Sequence, residues 1–478
     1  MVIDATSCYR ALSTHDARFD GRFFVGVSST GIYCRPVCRV RTPRAEHCRY
    51  FQSAAAAEVA GYRPCLRCRP ELAPGYASVD ATERLAQAAV ELIDGGVLDD
   101  GGLERLAARL GVTSRHVRRI FERAFGVTPV EYAQTQRLLL AKRLLTDTTL
   151  PVTEVALASG FGSVRRFNAL WKARYRMAPA RLRRERAPGD TPATMRFEVA
   201  YRPPYDWSAL RDFLAARAIA GVEAIDGNAY LRTVRIDHRG ERHAGWIRVQ
   251  PAARRAALVL EVAPTLSRVV PQVLARARHA FDLACHPDEV GTALGPLAAG
   301  ATGLRVPGTV DGFEIAVRAI VGQQVSVRAA RTLLGRLVEQ FGDAVVTGVD
   351  SLVSLFPAPA RVAALDPAAL ASLGVLPARA RTLVAMAQAV AGGTLDLRPG
   401  ADVDAVRAAL RSIRGIGPWT TEYIVMRALG WPDAFPAGDL LILKALGETR
   451  AARALARSEA WRPWRAYAVM HLWRGATP

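Results

Sequence analysis

The chain has 478 residues, half of them hydrophobic and 23% charged, which excludes a disordered chain. At roughly 100–200 residues per domain it divides into about three or four. Lys plus Arg number 64 against 44 Asp plus Glu, a net +20 that suits a polyanionic partner.

The surplus is local. Residues 1–100 hold 12 basic and 12 acidic groups, whereas residues 101–186 hold 18 and 6, as expected where one module grips DNA. No uncharged apolar run of about 18 residues occurs, so no transmembrane helix and no membrane partner are expected. The N-terminal string Met1–Arg10 lacks a basic segment followed by an apolar one, which argues against a secretion signal. The expected compartment is the cytoplasm, where seven cysteines stay reduced and clustered ones serve as metal ligands.

Residues 1–77 carry the first motif. Cys34 and Cys38 form C-x3-C, and Cys65 and Cys68 form C-x2-C, with 26 residues between the pairs. Zinc takes four ligands tetrahedrally and thiolates suit it, so one Zn2+ is expected on these four sulfurs. The surrounding loops read as poor in apolar core, so metal would supply much of the folding energy. Cys8, Cys48 and Cys285 have no partner at ligand spacing, and His47 is a possible substitute ligand that the count does not need. The strings Phe19–Val27, Thr30–Cys38 and Gly61–Pro70 resemble the N-terminal domain of the Ada adaptive-response family over about residues 8–72. That resemblance implies a small zinc-bound α/β domain in which the first of the four cysteines, here Cys34, takes the methyl group of a methyl phosphotriester in DNA. The thiolate is the nucleophile, and zinc keeps it deprotonated at neutral pH. Four thiolates on one zinc carry a formal −2; methylating one leaves −1, which weakens repulsion from the phosphates and tightens DNA binding. Arg35, Arg39, Arg63, Arg67 and Arg69 beside the ligands are the candidates for holding phosphate oxygens.

Residues 80–187 read as short amphipathic helices. Leu106–Phe121 has a helix, a turn at Gly111 and a Thr/Ser cap opening a second helix, the helix-turn-helix pattern. Val155–Ser163 repeats it, leading into Arg165–Arg176. Ala107, Gly111 and Ser114 recur as Ala156, Gly160 and Ser163, and Val117, Phe121, Phe125 and Pro129 recur as Phe167, Trp171, Tyr175 and Pro179. The apolar positions, four apart, share a helix face. Arg115, His116, Arg118, Arg119, Arg165, Arg166 and Asn168 are expected to face a major groove. The pair resembles the AraC-type DNA-binding domain over about residues 85–185, which implies an all-α double helix-turn-helix domain, promoter sites in double-stranded DNA, and RNA polymerase as a protein partner. The polar string Ala187–Pro192 reads as a linker.

Residues 195–282 mix strand-like alternation, as in Tyr230–Ile236, with helices. Residues 283–478 read as mostly helical, broken at Pro307-Gly308, Phe356-Pro357 and Arg398–Gly400. Gly415-Ile416-Gly417 between two helices permits a tight hairpin whose backbone N–H groups approach a phosphate. With Asp439 following a Phe-Pro turn about 20 residues later, it makes the helix–hairpin–helix glycosylase pattern.

From Tyr201 to its end the chain resembles the AlkA-type 3-methyladenine DNA glycosylase II family, in Phe213–Arg217, Phe281–Leu283, Ile320–Val327 and Ala466–Trp473. The resemblance implies an α+β antiparallel-sheet domain at 195–282 and an all-α helix–hairpin–helix glycosylase domain at 283–478, so the whole is multidomain α+β. It puts the catalytic carboxylate on Asp439 and an aromatic pocket on Phe213, Trp419, Tyr423 and Trp473. A buried anion stabilises the positive charge that builds on the sugar as an N-glycosidic bond breaks, and electron-rich rings favour an electron-poor alkylated purine. Gln324 stands where the family has an apolar wedge. Trp419 stands where strand-cutting relatives have a lysine, so a monofunctional enzyme without a cofactor is expected. The Pro-Cys-His-Arg motif of a second methyl acceptor is absent (the nearest string is Ala284–Pro287), so no O6-alkylguanine transfer is expected. The function implied is alkylation repair joined to regulation of the adaptive response. The competing reading is a transcription regulator with a catalytically inactive glycosylase-like half.

Overall fold

The computed structural model describes residues 4–74, 81–100, 102–148, 150–182 and 194–476. The linker string Ala187–Pro192 lies outside the described residues. The first unit is a four-stranded sheet of β1 (Phe24–Val27), β2 (Ile32–Cys34), β3 (Cys48–Phe51) and β4 (Arg63–Pro64) in the order β3-β1-β2-β4. β1 is antiparallel to both neighbours, and β2 runs parallel to β4, which sets Tyr33 opposite Pro64 and brings Cys34 beside Cys65. The expectation of little apolar core is corrected. Phe24, Tyr33 and Tyr62 pack with α1 (Ala54–Val59) on one side of the sheet, and Cys8, Leu12, Phe23 and Val25 form a second cluster. Cys8 is thus a core residue, as its lack of a ligand partner suggests.

The helical unit follows the predicted punctuation. α2 (Gly102–Arg109) ends at Gly111, whose φ of +66° is the left-handed turn that glycine takes without strain. Thr113 then caps α3 (Ser114–Phe125), its side chain accepting from the His116 N–H. The 19-residue α4 (Pro129–Asp147) opens with a Thr128/Glu131 capping box and joins the two halves. α5 (Val152–Ala158) and α6 (Val164–Tyr175), the latter capped by Ser163, repeat the motif. The four-spaced rows Val117/Phe121 and Phe167/Trp171/Tyr175 are buried.

Buried Glu58 on α1 ties this unit to the first. It accepts from the Tyr33 hydroxyl (3.0 Å) and from Thr135 Oγ1 on α4 (3.4 Å), while Arg174 on α6 donates to its backbone carbonyl (2.6 Å). Burial pushes its carboxyl up to about 7, against the lowering effect of Tyr33, Arg174, Thr135 and Lys142. The folded chain therefore holds a proton there that the unfolded chain releases nearer pH 4.5. Stability from this group falls as pH rises from that value to about 7 and is flat above it. Glu58→Gln keeps the acceptor for Tyr33 and removes the charge. The variant is expected to be more stable than wild type by roughly 1–3 kcal/mol at pH 8 and no more stable at pH 5, read by denaturant titration at both values.

The C-terminal half opens with a five-stranded antiparallel sheet of β5 (Met195–Ala200), β6 (Glu223–Asp226), β7 (Ala229–His238), β8 (Glu241–Pro251) and β9 (Ala257–Val262) in the order β5-β9-β8-β7-β6. Its apolar face and the second helix-turn-helix share one core: Trp171, Phe167 and Leu138 lie in the same cluster as Phe197, Val249, Leu260 and Phe281. α7 (Trp207–Ala215) and α8 (Val270–Ala280) pack into that core through Trp207 and Leu210 and through Val270, Val273, Leu274 and Ala277. The remainder is mostly helical and includes α9 (Gly312–Val321), α10 (Val327–Phe341), α11 (Pro377–Ala391), α12 (Val403–Ser412), α13 (Pro418–Ala428), α14 (Leu440–Leu446) and α15 (Arg465–Ala476), with a short antiparallel pair, Asp343–Ala344 with Ser354–Leu355, and non-helical chain at the three breaks read from the sequence. Among the described residues no helix is long and apolar enough to cross a membrane.

Candidate metal centre and aromatic pocket

Cys34 closes β2, and Cys38 follows in the turn that the Cys38 N–H to Arg35 carbonyl bond closes (3.1 Å). Cys65 follows β4 and is fixed by its N–H to the Tyr33 carbonyl (3.0 Å). The four Sγ atoms of Cys34, Cys38, Cys65 and Cys68 lie within 4.8 Å of one another, the first three buried and Cys68 half-buried. Four sulfurs so converged, in an apolar setting and without a disulfide, fit one tetrahedral Zn2+. The Arg35 backbone N–H donates to Cys68 Sγ (3.4 Å), the bond a thiolate accepts better than a thiol. His47 is not part of the cluster.

Two of the five neighbouring arginines depart from expectation. Arg35 is buried, forks onto Asp20 and donates to the Cys68 carbonyl (3.1 Å). Arg69 donates to Glu71 (3.0 Å) and Asp147 (2.8 Å). Both are committed inside the protein, because the turns holding Cys34 and Cys68 aim the next side chain inward. Arg39 and Arg67 are exposed and Arg63 half-buried, each free to meet an anion.

The second site lies where four elements of the C-terminal half meet. Asp439 caps α14, its Oδ1 accepting from the N–H groups of Leu441 (3.0 Å) and Ile442 (3.2 Å). The same carboxylate takes the indole N–H of Trp473 on Oδ1 (3.0 Å) and of Trp419 on Oδ2 (2.9 Å). Asp439 is a helix cap and the anion of an aromatic box at once. Trp419 stacks on Tyr423 (ring centroids 5.4 Å, 21°), Phe213 on Trp473 (6.2 Å, 12°), and Tyr423 faces Trp473 at 6.3 Å. All four rings and Asp439 are partly open to solvent. The five come from four sequence-distant elements: α7 gives Phe213, α13 gives Trp419 and Tyr423, α14 is capped by Asp439, and α15 gives Trp473.

Two arginines that the sequence reading passed over back the box. Arg217 lies 3.7 Å from the Phe213 centroid, and Arg427 lies 5.0 Å from Phe213 and donates to the Tyr423 hydroxyl (2.8 Å). Arg427 is buried and anchored on the carbonyls of Pro307 and Gly308. Each stands four residues after the ring it touches, one helix turn along, and that spacing is the signal that could have found them.

Beside the box, Gly415 has φ +97°, and a Cβ there would collide with the Thr382 hydroxyl. Gly417 is different: a Cβ there would meet nothing, so its neighbourhood is open to an incoming group. Gln324 is exposed at φ +53°, and the preceding Gln323 donates to the Gly415 carbonyl (3.0 Å) and to Thr420 Oγ1 (2.9 Å), which sets the Gln324 loop against the hairpin. On the helical unit, Arg115, Arg118, Arg119, Arg165, Arg166 and Asn168 are exposed on α3 and α6, and His116 is half-buried beside Arg119 (2.9 Å).

Family models match four stretches: the metal binding domain of Ada over residues 7–71, a helix-turn-helix domain over 106–185, the AlkA N-terminal domain over 196–311, and the HhH-GPD superfamily base excision DNA repair protein over 317–465. The chain is 39% identical, over 98% of its length and 96% of the relative's, to a probable bifunctional transcriptional activator/DNA repair enzyme AlkA of Mycobacterium tuberculosis. It is 38% identical over 58% of its length to DNA-3-methyladenine glycosylase 2 of Escherichia coli, 96% of which it covers. It is 33% identical over 37% of its length to the bifunctional transcriptional activator/DNA repair enzyme AdaA of Bacillus subtilis, 81% of which it covers.

Proposed function

Because the chain belongs to the family of the bifunctional transcriptional activator/DNA repair enzyme AlkA, we propose specific residues for each of its two chemistries. The chain serves DNA alkylation repair and its regulation. It binds DNA, carries one Zn2+ on its four-cysteine cluster and is a DNA glycosylase that needs no cofactor. Residues 1–77, 80–187, 195–282 and 283–478 are our division of this work into methyl acceptor, DNA-binding module, sheet domain and glycosylase domain.

The substrate of the glycosylase is an alkylated purine of the 3-methyladenine type, flipped between the rings of Phe213, Trp419, Tyr423 and Trp473. The observation that carries this is the pair of indole N–H groups converging on one carboxylate inside a ring-lined cleft. Four donors fix the Asp439 carboxylate in place. As the C1′–N bond breaks, its electron pair leaves with the base and positive charge builds on the sugar, facing that anion. Water then bonds to C1′ and loses a proton. Gly415 and Gly417 bring backbone N–H groups to a phosphate of the damaged strand, and Gln324 fills the place of the flipped base. With Trp419 at the lysine position the strand stays uncut. An assembled box and carboxylate weigh against an inactive glycosylase-like half.

At the N-terminus, Cys34 Sγ attacks the methyl carbon of a methyl phosphotriester. The S–C bond forms, the C–O bond breaks, and the phosphodiester oxygen leaves as an anion. Zinc on Cys34, Cys38, Cys65 and Cys68 keeps the thiols deprotonated at neutral pH. Arg115, Arg118, Arg119, Arg165 and Arg166 read promoter DNA, RNA polymerase is the partner of the activated state, and the reducing cytoplasm is where such thiolates persist.

The test has two arms. The wild-type chain is expected to release free methylated purine from dimethyl-sulfate-treated DNA without nicking it. Cys34→Ala is expected to keep that release while losing methyl uptake from phosphotriesters and the methylation-dependent rise in promoter affinity. Methyl uptake undiminished in Cys34→Ala would move the acceptor to another sulfur, and nicking with base release would overturn the monofunctional reading.

A further inference from the structure

Three stretches of the C-terminal half contain no Asp or Glu: residues 315–338, 367–395 and 405–421. They are far apart in the chain and meet at the hairpin. Gln323, just before α10, donates to the Gly415 carbonyl and to Thr420. Thr382, in the first turns of α11, donates to the Arg414 carbonyl (2.8 Å). Arg328 and Arg331 stand on the first turns of α10, Arg379 and Arg381 on the first turn of α11, and Arg414 leads into the hairpin.

Arg328, Arg331, Arg381 and Arg414 are exposed and Arg379 is half-buried. Among the described residues none of the five side chains has an ion pair or a hydrogen bond. Other arginines of this half are neutralised nearby: Arg398 by Asp396 (2.6 Å), Arg407 by Glu422 (2.8 Å), Arg462 by Glu459 (2.7 Å) and Arg465 by Asp433 (2.6 Å). The start of α10 is bare as well, with Val327, Arg328, Ala329, Arg331 and Thr332 all exposed. Four like charges on the opening turns of two helices and a fifth at the hairpin, with every carboxylate kept out of three converging segments, repel one another unless a polyanion lies across them.

We infer that Arg328, Arg331, Arg379, Arg381 and Arg414 form a phosphate track that holds the duplex on both sides of the hairpin while the lesion is in the pocket. The partner is the sugar–phosphate backbone of double-stranded DNA, and the contacts are sequence-independent. The track deepens the glycosylase reading and rests on it for the orientation of the DNA. The Gln323 bonds make wedge loop, hairpin and track one unit, so phosphates gripped by the arginines set the depth to which Gln324 enters the duplex.

The experiment uses the full chain and two charge-neutralised pairs, Arg328→Gln with Arg331→Gln and Arg379→Gln with Arg381→Gln. The control pair is Arg196→Gln with Arg254→Gln, exposed arginines of the sheet domain. One arm measures single-turnover release from a duplex with one methylated purine, titrated with protein across a salt series. The other uses a duplex with 2-aminopurine beside an uncleavable abasic-site analogue, whose fluorescence reports engagement at the lesion itself, without chemistry. Each track pair is expected to raise the half-saturating concentration on the order of tenfold and to cut the slope of log affinity against log salt by about 1.8, since each phosphate contact contributes about 0.9. The effect falls on half-saturation rather than on the saturated rate, and lysine at the same positions restores the slope. A slope equal to wild type in both pairs, or an equal loss in the control pair, overturns the track. If wild type releases no base while the fluorescence arm still shows the loss, the glycosylase reading fails and the track stands.

Discussion

Asp439→Asn is expected to lower base release by about 10³-fold or more, some 4 kcal/mol of barrier. The substitution removes the charge and little else. Asparagine is as good a helix cap as aspartate, so its Oδ1 still receives the N–H groups of Leu441 and Ile442 that open α14. The other atom is where the chemistry changes. In wild type, Oδ2 accepts from Trp419 and Oδ1 from Trp473. In the variant an NH2 group meets one of those indole N–H donors, and a neutral dipole faces the sugar. The lost interaction is one made only as positive charge develops, so saturated rate should fall while lesion binding persists. Single-turnover release of methylated purine from dimethyl-sulfate-treated DNA reads the rate, and the 2-aminopurine duplex reads the binding. Trp473→Phe keeps the ring that stacks on Phe213 and removes one donor; it is expected to fall between wild type and Asp439→Asn. Release within about tenfold of wild type in Asp439→Asn would take Asp439 out of the reaction, because a charge of that importance cannot be lost for so little.

The legible parts of this molecule are those whose chemistry is local. Four sulfurs at C-x3-C and C-x2-C spacing announce their ligand role, because a tetrahedral ion needs two close pairs. Thr113 and Ser163 are readable as caps, since the cap bond closes within three residues. The aromatic box is not local. Trp473 and Asp439 are 34 residues apart and Phe213 arrives from another domain, so only the family resemblance could gather them. The errors came from side-chain direction. Arg35 and Arg69 read as phosphate ligands because they neighbour cysteines, and the fold turns both inward onto Asp20, Glu71 and Asp147. Periodicity does not encode which way a side chain leaves a metal-ligand turn. Nor does any local pattern announce that α4 and the second helix-turn-helix share a core with the sheet.

That hidden docking supports the second large effect, which falls on stability. Lys142, in the middle of α4, is 2% exposed and donates to Glu71 Oε2 (2.7 Å) and to the Cys65 carbonyl (3.3 Å). Glu71 is equally buried and also accepts from Arg69. Burial works against its ionisation, yet the Lys142 and Arg69 charges outweigh it and hold its carboxyl below the usual range. Lys142→Met keeps the side-chain volume and leaves Glu71 half-compensated in a dry setting and the Cys65 carbonyl short of a donor. Removing one partner of such a pair is expected to cost about 3–5 kcal/mol. An exposed pair such as Arg44 with Glu46 would cost under about 1 kcal/mol. Because Lys142 bonds the carbonyl of a metal ligand, the loss should appear first at the zinc site: zinc release, followed by a chelating dye along a urea titration, is expected at lower urea than in wild type. Lys142→Met combined with Glu71→Leu removes the stranded charge and should recover much of the loss, since it is the unpaired carboxylate rather than the missing attraction that is expensive. A single variant that releases zinc at the wild-type midpoint would show that α4 does not brace the metal centre. A double variant no better than the single would place the loss in packing instead of charge.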